Sequence, residues 1–349
     1  MHAWLVRAGK AGERERWAID RGCTGAGFGE IRDLSDLTDR AGVLAAVAGD
    51  VPDAQRGAVR NFAAQLWALR DRMSVGDLVV MPLKNSPYLA IGRVTGDYQY
   101  ASDETNAERR HRRSVEWVVT DVPRTLVKQD LLYSLGAFST ICEISPNDAA
   151  WRLGQLMAGK PDPGARANAG NSAKRLESTD EASDIGQSEI DVETYARDRI
   201  TSRIIEQFAG HRLADLVAAI LEADGYSCDV SPEGTDQGVD IIAGKGLLGL
   251  MSPKIVVQVK SEAGSVGSPV VQQLQGAIAT HAADHGLLVA WGGVTKDATR
   301  YLSNQRFAMR VWDSRDVLDG LFDNYDRLPA DIQRDVPLKR VWTLAEETG

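Results

Sequence analysis

The chain has 349 residues, 43% of them hydrophobic and 26% charged, with a formal net charge of -9. That is long enough for two domains with cores of their own, and the composition excludes a largely disordered chain. The acidic balance excludes a protein that coats nucleic acid indiscriminately, so any DNA contact has to come from local basic patches.

The opening residues, Met1 to Arg7, carry no charged-then-apolar leader, and no apolar run reaches membrane-spanning length. The expectation is a cytoplasmic protein with no membrane association. Trp4-Leu-Val6 reads as a strand, and Gly25 to Ile31 as a second one that its glycines would bulge. Val59, Phe62, Ala63, Leu66, Trp67, Leu69 and Met73 recur at helical spacing and predict one amphipathic helix. Residues 78–83, 88–95 and 114–120 are rich in strand formers, and 130–157 is helical in parts. Short strands with one packed helix predict a small curved β-barrel over residues 1–158.

Trp4-Leu-Val-Arg, Gly27-Phe-Gly-Glu, Gly76-Asp-Leu-Val-Val-Met-Pro-Leu and Ala90-Ile-Gly-Arg-Val together resemble the PUA-like superfamily, within it the EVE-like modules found fused to restriction nucleases. The resemblance implies a reader of a flipped, modified nucleobase. Such a pocket needs flat π-faces around the base, and Phe28, Tyr98, Tyr100 and Trp117, with Trp17 behind them, are the candidates. Each is equally what a barrel core contains. Arg109, Arg110, Arg112 and Arg113 form the densest basic run of the chain, and with Lys84 they are the candidates for gripping DNA phosphates.

Residues 159–190 are Pro, Gly, Ala, Ser, Asn and acidic residues with hardly a large apolar side chain, which predicts a flexible linker. A second domain is expected over 191–327, followed by a tail at 328–349. Helices over 192–208 and 213–221, the latter stopped by Gly225, lead into strands at 226–230, around Asp240 and around Gln258. Ser268-Pro269 opens the next helix, and strands at 286–291 and 309–312 alternate with two more helices. The order predicts a mixed sheet with helices on both faces. Cys23, Cys142 and Cys228 are odd in number and widely spaced, so neither a disulfide framework nor a zinc cluster is expected. His281 and His285, four apart, have no third ligand and read as helix surface.

In Ile255-Val-Val-Gln258-Val-Lys260, Gln258 and Lys260 share one strand face, and Val257 and Val259 the other. If the Asp240 strand is a neighbour, a carboxylate, an amide oxygen and a lysine converge on one wet patch, the parts of a site that holds a hard divalent cation and activates water. Asp236 fits either that site or the turn before it. Asp240, Gln258 and Lys260 in this setting resemble the PD-(D/E)XK signature in the Gln-containing form of the Mrr-type restriction endonuclease. That resemblance implies a restriction-endonuclease fold, with Asp240, Gln258 and the Val259 carbonyl as ligands of Mg²⁺ or Mn²⁺. It implies double-stranded DNA carrying modified bases as substrate and a homodimer on DNA. Relatives often carry a glutamate on the first core helix; here Asp215 or Glu206 would have to substitute. Two other readings stay open: a non-catalytic DNA reader, and a repair or junction nuclease whose first domain reads no modified base.

Overall fold

The computed structural model describes residues 1–84, 86–136, 139–166, 192–232, 234 and 238–342. The chain divides into two compact units, Met1–Asp198 and Arg199–Gly349.

The first unit is built on a six-stranded mixed sheet in the order β2-β5-β4-β3-β1-β6. The strands are β1 (Ala3–Val6), β2 (Cys23–Gly25), β3 (Leu78–Pro82), β4 (Tyr88–Tyr100), β5 (His111–Pro123) and β6 (Ile141–Glu143). β1 runs parallel to β3, and the other pairs are antiparallel. Alternation along the strands sends Trp4, Val6 and Val79 to one face and Ala3, Leu5, Leu78 and Val80 to the other. Helices α2 (Arg40–Asp50) and α3 (Arg56–Trp67) cover the first face; α4 (Gln129–Leu135) and α5 (Ala149–Met157) cover the second.

The expected PUA-like β-barrel is therefore corrected to an open sheet: its ends, β2 and β6, are not paired with each other among the described residues. Helices on both faces bury what strand closure would have buried. The strand expected over Gly25 to Ile31 stops at Gly25, because Gly27 (φ 76°) and Phe28 (φ 55°) turn the backbone out of extended geometry. Helices α1 (Glu15–Arg21) and α2 have no counterpart in the sequence reading; α1 is too short to show a period, and α2 is rich in alanine.

The stretch expected to be a tether begins as packed chain. Asp162 is buried and paired with Arg152 of α5, and its carboxylate also accepts the Lys128 and Gly164 amide N–H groups. Residues 167–190, the rest of the expected linker, lie outside the described residues, as does residue 191.

The second unit carries a five-stranded sheet in the order β11-β10-β9-β8-β7. Helix α6 (Val192–Gln207) runs across the division and is followed by α7 (Arg212–Ala223). Then come β7 (Tyr226–Val230), β8 (Ile241–Lys245), β9 (Met251–Lys260), α8 (Ser268–Thr280), β10 (His285–Ala290), α9 (Lys296–Ser303), β11 (Met309–Trp312), α10 (Ser314–Asn324) and α11 (Ala330–Asp335). β9, β10 and β11 are parallel; β7 and β8 run antiparallel to their neighbours. Val257 packs with α7 and α10 on one face, and Val256 with α8 on the other. Both neighbours are buried because the sheet is covered twice. The expected tail is corrected in its first part: Leu328, Ile332 and Val336 belong to the core.

All three cysteines are unbonded, and burial pushes the Cys23 and Cys142 thiols up to about 11 and that of Cys228 to about 12. Among the described residues no helix is long and apolar enough to cross a membrane.

Candidate functional site

The β8–β9 hairpin sets Asp240 beside Gln258 and Val259. Ile241 stands opposite Val257, so Asp240, one residue before β8, lies beside Gln258. The Asp240 N–H donates to the Val257 carbonyl at 2.8 Å, and its Oδ2 accepts from the Val259 N–H at 2.7 Å. These two bonds clamp the carboxylate against the end of β9. Lys260 is half-buried on the same face of β9 as Gln258, two residues on, and its carbonyl accepts the Trp291 N–H at 2.9 Å on the other side of the strand. Along a strand the N–H and C=O of one residue point the same way, so the Val259 carbonyl faces the Asp240 side.

The site differs from the exposed patch expected from the sequence: Asp240 is 8% exposed and Gln258 1%. Gln258 donates through Nε2 to Gln273 Oε1 of α8 at 3.2 Å, and its own Oε1 has no hydrogen-bond partner. A buried acceptor left bare is costly, and it is the kind of atom a hard cation takes. Gln273 also packs against Gly238, where a Cβ would fall 2.3 Å from Gln273 Nε2 and where φ is +87°. Only glycine suits that position. One glutamine side chain thus touches both the turn that delivers Asp240 and the amide of Gln258. Gln272 and Gln273 stand side by side on α8. Both are exposed, and the contact that singles out Gln273 spans two separate elements.

In the first unit the five aromatic candidates do not form one slot. Phe28 packs on Phe62 with ring centroids 5.0 Å apart. Tyr98 and Tyr100 gather around the fully buried His111, whose ring nitrogens bond Tyr98 Oη at 2.8 Å and the Ile31 carbonyl at 3.0 Å. Burial lowers the His111 pKa, so the ring is neutral, and burial raises that of Tyr98. Trp117 donates its N–H to the Ala18 and Cys23 carbonyls. Trp17 is 8% exposed, and its indole N–H is without a partner.

The arginine run is not a loop beyond its first two residues, because β5 begins at His111. Arg113 is 3% exposed and donates to the Leu69, Gly96 and Arg70 carbonyls. It is therefore corrected from a phosphate contact to an internal strut. Arg110 donates to the Glu104 carbonyl, and Arg109 lies over the Trp17 ring, 5.6 Å from its centroid. Arg112 is half-buried and Lys84 exposed.

Residues 205–321 match the family model of the Mrr catalytic domain, described as a restriction endonuclease. They form an Mrr-type restriction endonuclease domain. Residues 4–140 match a model described as a domain of unknown function, DUF8426. No curated protein sequence matches the chain. Among solved structures, the DNA modification-dependent restriction endonuclease AspBHI aligns at 17% identity over 75% of this chain and 67% of that one, with a TM-score of 0.31. MspJI restriction endonuclease in complex with a 27-mer oligonucleotide aligns at 13% identity over 96% and 79%, also at 0.31. A protein of unknown function, AF1548, aligns at 11% identity over 31% of this chain and 64% of its own, at 0.25. The chain thus spans under two thirds of that last protein.

Among the described residues, Asp240, Gln258 and Val259 place one carboxylate, one amide oxygen and one carbonyl near the end of β9. Among the described residues no group of three His, Cys, Asp or Glu side chains gathers. Asp215 on α7 and Glu206 on α6 are both exposed. Asp236 lies outside the described residues. Ser261 Oγ accepts the Gly210 N–H at 3.2 Å, which ties the turn before α7 to the end of β9. His281 ends α8 and His285 opens β10, both exposed, so their four-residue spacing is not a helical one.

Proposed function

We propose that this chain is a modification-dependent DNA endonuclease: its first unit recognises a modified cytosine in double-stranded DNA, and its Mrr-type domain hydrolyses phosphodiester bonds with Mg²⁺, or with Mn²⁺ in its place. The observation that carries the nuclease reading is the buried, unpartnered Gln258 Oε1 beside the clamped carboxylate of Asp240. Asp240, Gln258 and the Val259 carbonyl would hold the cation. When bound, it supplies a water of lowered pKa and offsets charge on the scissile phosphate. Lys260, on the same strand face as Gln258, orients the water and steadies charge gathering on the phosphate oxygens. A neutral amide in place of a second carboxylate leaves the site one negative charge short, so cation affinity is weak until DNA phosphate completes the shell.

Gln273 positions Gln258: by accepting the Nε2 proton it leaves Oε1 turned toward the site. Replacing it with leucine should raise the Mg²⁺ concentration for half-maximal cleavage about tenfold, the usual cost of losing a partner that orients a ligand. Gln273→Glu keeps an acceptor and should stay close to the wild type. A magnesium titration of cleavage, with cation affinity measured separately by calorimetry, checks both. An unchanged midpoint in Gln273→Leu would reduce the contact to packing.

Cutting both strands takes two active sites, so two copies of the chain act together on the duplex. Modified-base reading is supported by the Arg109–Trp17 cluster, which holds buried N–H groups without an acceptor. The test is cleavage of one plasmid prepared with and without cytosine modification. Cutting should follow the modification, and equal cutting of both would remove the specificity and leave the nuclease.

A further inference from the structure

Among the described residues of the first unit, three side-chain N–H groups are buried without an acceptor: Arg14 Nε, Trp17 Nε1 and Arg109 Nε. They belong to one cluster. Arg14 precedes the first turn of α1 and Trp17 lies one turn on. The Arg109 guanidinium covers the Trp17 ring. Arg14 Nη1 donates to Glu108 Oε2 at 3.1 Å, and Glu108 adjoins Arg109 and accepts the Gly29 N–H at 3.2 Å through Oε1. At Gly27 a Cβ would fall 2.6 Å from Glu108 Oε2 and 3.1 Å from Arg14 Nη2, so a side chain there would push these groups out of place. Arg14 is 9% exposed and Trp17 8%. Most buried polar groups in native proteins have a partner, so three unsatisfied donors gathered in one cluster point to a ligand that completes them.

We propose that this cluster reads the hydrogen-bonding edge of a flipped pyrimidine of the cytosine type, with Arg14, Trp17 and Arg109 donating to its ring nitrogen and carbonyl oxygen and Glu108 accepting from its exocyclic amine. The proposal rests on the modified-cytosine reading above and gives it an address. It differs from an aromatic cage, because one face of Trp17 is covered by Arg109 and the indole therefore works through its N–H rather than as a stacking plate. Cytosine presents two acceptors and one donor on its pairing edge, a mixture that suits three donors beside one carboxylate. A backbone phosphate presents acceptors alone and would meet Glu108 as a like charge. Atoms this deep reach a base only once it has left the duplex.

The test uses the full chain without divalent cation, so that no DNA is cut, and duplexes carrying 2-aminopurine beside a modified or unmodified cytosine. Trp17→Phe keeps the ring and removes an N–H that holds nothing in the fold; Arg109→Lys removes a second donor. Wild-type protein should give the fluorescence rise of base extrusion at the cytosine. Each variant should lose about five- to tenfold in affinity for that duplex, the worth of one hydrogen bond, with no change for duplexes lacking the target and no change in the salt slope. A uniform loss on all duplexes with a salt slope smaller by about one would assign the cluster to phosphate and overturn the proposal. Extrusion and affinity unaltered in both variants would overturn it while leaving modified-base reading intact. A wild-type protein that extrudes no cytosine would sink both.

Discussion

Asp240→Asn should abolish DNA cleavage, by at least about 10³-fold, while leaving the fold and DNA binding in place. The asparagine oxygen can still accept the Val259 N–H that Asp240 Oδ2 takes at 2.7 Å, so the turn into β8 stays anchored. What is lost is the negative charge, and with it the one carboxylate among the donors at the end of β9. Lys260→Ala should cost about 10²- to 10³-fold for a different reason, the loss of a cation near the phosphate oxygens. Single-turnover cleavage of a labelled duplex measures both, and binding in calcium buffer shows whether the substrate is still held. If purified Asp240→Asn cut within tenfold of the wild type, the chemistry would have to lie elsewhere.

Arg152→Met should destabilise the first unit by about 3–5 kcal/mol, the usual cost of leaving a buried charge without its partner. Arg152 is wholly buried. Its Nε and Nη2 donate to the two Asp162 oxygens at 2.7 Å each, and Nη1 and Nη2 donate to Asp130 at 2.6 and 2.8 Å. Burial alone would raise the Asp162 pKa, but Arg152 and the Gly164 and Lys128 amides outweigh it and hold the carboxyl below its ordinary 3.8. A carboxyl whose folded pKa is depressed stabilises the fold in full above its ordinary pKa, and that stability drains away as the pH falls through 3.8 toward the folded value. The first unit of the wild type should therefore weaken in that acid range, and Arg152→Met should weaken less steeply there. Urea unfolding at a series of pH values gives both slopes. Equal slopes would mean that Asp162 draws its stabilisation from the two amides alone.

The order of elements in the second unit could be read from the sequence because each signal is local. The Gly225 stop, the Ser268-Pro269 opening and the β-branched runs about Asp240 and Gln258 need only their own neighbours. Gln258 and Lys260 were legible as a pair for the same reason, since side chains two apart on a strand share a face wherever that strand goes, whereas Asp240 joins them only through the pairing of β8 with β9. Burial was not legible. Gln258 is hidden because α8 lies over it, and Gln273 was one polar helix residue among several until its contact with Gly238 and Gln258 appeared.

In the first unit the sequence misled where it relied on composition. Residues 159–166 look like linker, yet Asp162 is held by an arginine ten residues back in the chain. The Arg109 to Arg113 run looks like a basic loop, yet Arg113 spends its guanidinium on carbonyls up to 44 residues away. The open sheet was read as a barrel because short strands and glycines are common to both; what separates them is whether the two edge strands pair with each other.

By itself, then, the sequence determined which segments become strands and helices in the second unit and that Gln258 and Lys260 share one strand face, since periodicity and turn chemistry are properties of adjacent residues. Only the tertiary structure decided which polar atoms are satisfied: that Arg113 and Trp117 are spoken for, and that Gln258, Trp17, Arg14 and Arg109 keep buried atoms without a partner. Hydrogen-bond partners come from distant parts of the chain, and no local pattern encodes whether they arrive.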